Sequence, residues 1–390
     1  MNLGSDGSLL IEGWRFIAHS YAVVNQFQLL ELVRQPGLQV FHRDLPFYNP
    51  NWQSTLGLFD TASESTLKRI PAPPLNLIAP TYRIGFPYTL PTRGERVWVF
   101  GTAEGRMVPR IYMTGNQPFI QAYRNSQATI ITPSQWSRSG FLHEGADAER
   151  VVVVPHGIDP KIHKPANSYK RQKLRKDLGW QGFIFLHIGA MTSNKGIDLL
   201  LKAFAAVATV NPEARLVLKG SDALYASQQY LANIMQTLTV QERQLVTPRL
   251  TYYGATLTFK QCAELYQAAD VYVSPYRAEG FNLPVLEAMA CGLPVICTQG
   301  GATDDFTHPD ATLYVTSTLS QTMQPDQTPT WFLAPDLEHL VVQMNKVMTC
   351  PDFVTQAQTR GPAHAANYTW HRVVARLRSV LGLAPAAGGQ

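Results

Sequence analysis

Cysteine is scarce in this chain. Its four residues (Cys262, Cys291, Cys297 and Cys350) all lie in the second half, and none forms a C-x-x-C pair. A 390-residue chain so poor in thiols is no disulfide scaffold and fits a reducing, cytoplasmic setting. Long apolar runs are missing as well. No window nears the roughly 18–20 uninterrupted apolar residues that cross a bilayer. The opening stretch MNLGSDGSLLIEGW lacks the basic-then-apolar order of a signal peptide. Contact with the inner face of a membrane stays open only as a peripheral one. Charged residues make up 16%, and the formal net charge of +5 is spread evenly, with 13 basic against 11 acidic residues up to 150 and 20 against 17 beyond. No basic arm or tail exists, which argues against a nucleic-acid partner. No D-x-D closes a strand and no His/Cys set has zinc spacing, so no metal is expected. No G-x-G-x-x-G follows a first strand, which makes a dinucleotide-dependent oxidoreductase a weak alternative.

What is present is an ordinary globular balance, 45% hydrophobic, in a chain long enough for two domains. In the second half short apolar runs alternate with helical spacing. Strands are expected at 151–155, 183–189, 214–220, 250–254, 270–276 and 294–301. Helices are expected at 196–208, 229–240, 260–269 and 283–292, and the charged stretch 164–180 reads as solvated. The first half is fainter. It offers strands at 14–19, 38–44, 75–80 and 96–101, a helix at 20–35 capped by Ser20, and a strand running into a helix over 128–145. Alternating strands and helices predict an α/β chain with parallel sheets covered on both faces. The predicted division is a first domain over 1–150 and a second over 151–365. A last helix at 366–383 is expected to pack back on the first domain, ahead of a disordered tail, 384–390.

The densest signal is RAEGFNLPVLEAMACGLPV (277–295). Glu279 sits in a strand-to-helix loop and Glu287 one turn into the following helix. Gly280 allows close backbone approach, and the helix opens with N–H groups around Asn282, Leu283 and Val285. A loop carboxylate beside a helix N-terminus suits a ligand bearing both hydroxyls and phosphates. Taken singly, each glutamate reads as well as a surface charge or a helix-dipole partner.

The string as a whole resembles the E-x7-E segment of retaining, nucleotide-sugar-dependent glycosyltransferases of the GT-B fold, especially family 4. The resemblance extends to AADVYVSP (268–275), to PHGID (155–159), to TPSQWSRSGFLHEG (132–145), and to FIFLHIGAMTSNKGIDLLLKAF (183–204) with Gly189, Lys195 and Gly196. It implies two Rossmann-like domains facing across a cleft, with the donor on the second domain and the acceptor on the first. The implied activity is transfer of a hexose from a UDP- or GDP-sugar to a glycan, lipid or small-molecule acceptor. It implies no cofactor beyond that nucleotide-sugar co-substrate. Glu287 would hold the ribose hydroxyls, and Glu279 the sugar hydroxyls with help from the backbone N–H groups of Gly280, Phe281 and Asn282, with Leu283 also on the donor side. Lys195, beside Gly189, would neutralise the diphosphate.

Two departures stand out. Ala190 occupies the place where many relatives carry a phosphate-binding arginine, so either Lys219 or Arg277 serves as a second base or donor affinity is low. Asn282 replaces the glycine of an E-G-F-G run, which bears on sugar choice. In the first half His19, Ser20, Asn25 and Glu104 are candidates for the acceptor side, whereas His156 and His187 read as structural. A GT-B epimerase or phosphorylase, or a binder of glycans or nucleotide-sugars without turnover, stays open at this stage. The acceptor and the oligomeric state have no signature in the sequence.

Overall fold

The computed structural model describes residues 7–91, 96–323 and 329–383. The tail 384–390 lies outside them. The chain divides into two compact units, one of Met1–Gly157, Met323–Thr330 and Trp370–Gln390, the other of Ile158–Thr322 and Trp331–Thr369.

The first unit is built on strands β1 (Ser8–Gly13), β2 (Gln39–Asp44), β3 (Thr81–Ile84), β4 (Val97–Phe100), β5 (Thr129–Thr132) and β6 (Val151–Val153). They form one parallel sheet in the order β2-β1-β3-β4-β5-β6. The predicted strand at 14–19 is instead the loop that follows β1. Its apolar residues fill an aromatic cluster around Trp14 and do not lie in the sheet. The stretch 75–80 is likewise a loop, and pairing begins at Thr81. The strand at 151–153, assigned from sequence to the second domain, pairs with β5 and closes the first sheet. The helix Ser20–Leu32 starts where expected, but its cap is His19, whose Nδ1 accepts from the backbone N–H of Tyr21. The helix Trp370–Val380 packs on Ser20–Leu32, with Trp370 stacked on Phe27 at 5.4 Å and Arg378 donating to Gln35.

The second unit carries β7 (Phe183–Ile188), β8 (Ala214–Lys219), β9 (Leu250–Tyr253), β10 (Val271–Ser274), β11 (Val295–Thr298) and β12 (Thr312–Val315). They too form a parallel sheet, in the order β12-β11-β10-β7-β8-β9. Read from β9, this is the 3-2-1-4-5-6 order of a doubly wound fold, and its order reverses between β7 and β10. The helix Ile197–Val210 buries Leu200, Leu201, Phe204 and Val207 against Phe185, Leu216, Val271 and Val273. The charged stretch near 164–180 contains a helix, Ser168–Leu178, with no buried residue. It is anchored by ion pairs from Arg171 and Arg175 to Asp270. Among the described residues no helix is long and apolar enough to cross a membrane.

Candidate functional site

Open parallel sheets place ligands beyond the carboxyl ends of their strands, at the point where the order reverses. In the second unit that point lies between the loop after β7 and the loop after β10. The sequence places Gly189, Lys195, Arg277 and Glu279 in those two loops.

Their approach has an identifiable cause. Ser193–Lys195 forms a short 3-10 turn that ends at Gly196, whose φ is +71°. A Cβ there would stand 2.0 Å from the carbonyl oxygen of Pro275, so only glycine lets the turn lie against the end of β10. Arg277 then ties the loops together. Its guanidinium holds both Asp198 carboxylate oxygens at 2.7 Å and donates to the Ser193 carbonyl at 2.9 Å. Its own N–H donates to Asn194 O, and the Asn194 amide returns a bond to Ala278 O. With the loops fixed, Lys195 Nζ meets Glu279 Oε1 at 2.5 Å across 84 residues of sequence. Glu279 is almost fully buried, whereas the Lys195 side chain keeps 22% of its surface.

Asn282 begins the helix Leu283–Ala290 with φ +71° and ψ 61°, a left-handed backbone that asparagine tolerates better than most residues. This explains asparagine where a glycine is common. Its side chain is buried and donates to Ser274 Oγ at 2.9 Å, which ties it to the strand end and not to a ligand. Phe281 stacks on Phe306 with ring centroids 4.4 Å apart. Of the N–H groups expected to be open, that of Val285 is taken by the Asn282 carbonyl. Glu287 is held from two sides, accepting from the Tyr266 hydroxyl at 2.8 Å and lying 3.5 Å from His163 Nε2.

Neither proposed second base is aimed at an open anion site. Arg277 is committed to Asp198. Lys219, 6% exposed, donates to the carbonyl of Gly220, and burial lowers its pKa against the opposing pull of Cys262 and Asp222. Ala190 brings no charge of its own. Among the described residues no group of three His, Cys, Asp or Glu is placed to hold a metal ion.

The acceptor-side candidates belong to the first unit, and the structure does not assemble them into one cluster. Asn25 is fully buried, donating to Trp14 O and meeting His42 Nε2 at 2.9 Å, so it is part of the packed interior. Ser20 is exposed on the first turn of its helix. Glu104 follows β4, and its carbonyl accepts from Trp136 Nε1. His19 sits among Trp14, Trp52 and Tyr21, its pKa lowered to about 4 by burial. Sequence reasoning missed these aromatics. Trp14, Tyr21, Trp52, Phe86 and Tyr88 gather near the ends of β1 and β3, where this sheet reverses its order, and the Tyr21 and Tyr88 hydroxyls meet at 2.6 Å. They share no periodicity, and Trp14 read from sequence as the first residue of a strand.

Residues 182–323 match the profile of the family described as glycosyl transferases group 1. Mannosylfructose-phosphate synthase of Agrobacterium fabrum is 29% identical over 157 residues, which is 40% of this chain and 34% of that protein. D-inositol 3-phosphate glycosyltransferase of Pseudarthrobacter chlorophenolicus is 33% identical over 161 residues, 41% of this chain and 36% of that one. The matched stretch thus spans about a third of the length of each of these curated relatives. Among solved structures, Alr3699/HepE of Anabaena in complex with UDP and glucose superposes with a TM-score of 0.68 at 17% identity, covering 96% of this chain and 99% of that one. Sucrose-phosphate synthase of Thermosynechococcus elongatus gives 0.66 at 17% identity, with 96% and 98% covered. The two Rossmann-like units are those of the GT-B fold. Over residues 182–323 the chain is thus similar to the glycosyl transferases group 1, and over nearly its whole length it has the GT-B fold.

Proposed function

We propose that the chain transfers a hexose from a UDP- or GDP-sugar to a hydroxyl-bearing acceptor with retention of anomeric configuration. The observation that carries this reading is the Lys195–Glu279 pair at the sheet reversal, with Glu287 held by Tyr266 on the adjoining helix. A cation, a carboxylate for sugar hydroxyls and a second carboxylate for ribose hydroxyls match the three parts of a nucleotide-sugar. UDP and glucose bound to Alr3699/HepE support a uridine donor.

In this reading Glu279 exchanges Lys195 for hydroxyls of the bound sugar, and Lys195 turns to the diphosphate. The bond from the anomeric carbon to the β-phosphate oxygen breaks, and the acceptor oxygen bonds to that carbon on the same face. The acceptor proton passes to the departing phosphate, which leaves as a nucleoside diphosphate. Positioning and a fixed positive charge would supply most of the rate.

The test is a thermal-shift series with UDP, GDP, ADP and their glucose and mannose conjugates, followed by assay of nucleoside diphosphate release with candidate acceptors. A bound nucleotide-sugar raises Tm by mass action. Glu287→Ala is expected to remove that shift while the protein stays folded. Transfer at wild-type rate by both Glu287→Ala and Lys195→Ala would overturn the reading. Donor binding with no product from any acceptor would identify a binder without turnover.

A further inference from the structure

His187 reads from sequence as a structural residue of β7, yet its ring has one polar atom without a partner at the edge of the donor site. The residue is 1% exposed and stacks on Tyr272, with centroids 6.0 Å apart and planes 11° from parallel. Its Nδ1 lies 2.8 Å from the carbonyl oxygen of Val273. A carbonyl can only accept, so Nδ1 carries the proton and donates. In the neutral ring Nε2 is therefore a lone-pair acceptor, and it is buried with no hydrogen-bond partner. Such orphans are rare in folded proteins and call for a reason.

The surroundings of Nε2 supply one. A Cβ built on Gly189 would stand 3.2 Å from His187 Nε2 and 3.8 Å from Lys195 Cε. The lysine stem and the imidazole lone pair thus border the same small space, which only a glycine at 189 leaves empty. Phosphate oxygens carry no proton to offer Nε2, and the Lys195 ammonium has three donors to distribute. One of those donors lies on Glu279. Burial, joined by the charge of Lys195 and opposed by the bond to Val273, lowers the His187 pKa to about 4, so the ring is neutral at pH 7.

We propose that His187 is the positioning residue for Lys195, its Nε2 accepting one ammonium N–H once a nucleotide-sugar has taken Glu279, so that the remaining donors are aimed at the diphosphate. This rests on the donor-site reading and adds to it a fixed second station for the lysine. It also gives a reason for a histidine two residues before Gly189 in a chain whose residue 190 carries no arginine.

The experiment is a double-mutant cycle read by calorimetry with UDP-glucose and, separately, GDP-glucose, on wild type, His187→Phe, Lys195→Met and the double variant. His187→Phe keeps a flat ring against Tyr272 but removes the acceptor. It is expected to weaken binding of the preferred nucleotide-sugar by about 10- to 100-fold, the size of one hydrogen bond to a charged group. In the Lys195→Met background the same change is expected to cost less than twofold. His187→Gln, whose amide oxygen restores an acceptor, is expected to recover most of the affinity. Unchanged affinity in His187→Phe, or an equal loss in both backgrounds, would overturn the proposal. His187→Leu repeats the comparison if the phenylalanine variant does not fold. Lys195→Met binding both nucleotide-sugars as tightly as wild type would instead sink the donor-site reading, and the role of His187 with it.

Discussion

Arg277 grips Asp198 through two 2.7 Å bonds, and through that grip it sets where Lys195 stands. The pair joins the loop after β10 to the first turn of the helix Ile197–Val210. Burial works against the Asp198 carboxylate, but the hydrogen bonds and charge of Arg277 outweigh it and hold its pKa below the usual value. Arg277→Met is expected to lower stability by about 1–2 kcal/mol in urea unfolding, modest because both side chains keep contact with water. Its larger effect is expected on donor KM, since the lysine loop loses its tether. The pairing is fully present above the unfolded aspartate pKa, about 3.9, and is lost as pH falls through the lower folded value. The stability gap between wild type and Arg277→Met is therefore expected to be constant from pH 5 to 7 and to close below pH 4. A gap that persists at pH 3 would remove the pair as its cause.

Asn282 allows backbone and side chain to be separated. Its φ of +71° favours glycine, while its amide bond to Ser274 is lost in any shorter residue. Asn282→Ala is expected to cost about 1–2 kcal/mol for the left-handed backbone, in addition to the lost hydrogen bond. Asn282→Gly loses only the bond and is expected to lie closer to wild type in urea unfolding. If sugar choice resided in the Asn282 side chain, Asn282→Gly would alter the preference among UDP-sugars. The buried amide on Ser274 predicts an unchanged preference, measured as the ratio of kcat/KM values for two donors.

Much of the second unit was legible because its central strands are buried on both faces and read as β-branched or aromatic runs, as in VYV (271–273). The first unit was harder. Trp14, Phe16 and Ile17 look like a strand by composition, but they belong to a loop that packs tertiary neighbours, with Phe16 at φ +58° and its carbonyl accepting from Thr55 N–H. The helix Ser168–Leu178 was invisible to apolar periodicity because it buries nothing and is fastened by arginines to Asp270, nearly 100 residues away. In the site, the types and spacing of Glu279 and Glu287 were visible. The commitment of Arg277 to Asp198, of Lys219 to Gly220, and the unpartnered Nε2 of His187 were not. Those depend on which way a side chain turns after the loops have met.

Tyr266 and Glu287 supply a test that separates binding from turnover. The tyrosine is fully buried, and burial with the nearby Glu287 charge raises its pKa well above the ordinary value, so its hydroxyl remains a donor. Tyr266→Phe keeps the ring and removes the 2.8 Å bond that orients the carboxylate. If Glu287 holds the ribose, donor KM is expected to rise about 5-fold, roughly 1 kcal/mol of lost orientation, with kcat nearly unchanged. A fall in kcat at constant KM would move Glu287 from ribose binding to the reacting centre.

Buried histidines make acid sensitivity a property of the fold itself. His19, His42 and His156 in the first unit and His187 in the second all have pKa values lowered to about 3–4, with burial as the main cause. The unfolded chain binds these protons near pH 6.5, well before the folded one does, so protonation favours unfolding throughout that interval. Stability is expected to be full above pH 6.5 and to decline as pH falls from 6.5 towards 4, before the carboxylates begin to titrate. The check is urea unfolding at pH 7.5, 6.0 and 5.0, comparing wild type with His156→Phe. His156 is the most informative position because it is buried and packs between Phe100 and Trp370. Phenylalanine there removes one titrating group while keeping an aromatic ring, so the variant is expected to lose less stability than wild type between pH 7.5 and 5.0. Equal losses would show that His156 is already protonated in the folded protein, and the reading of a buried neutral ring would fall.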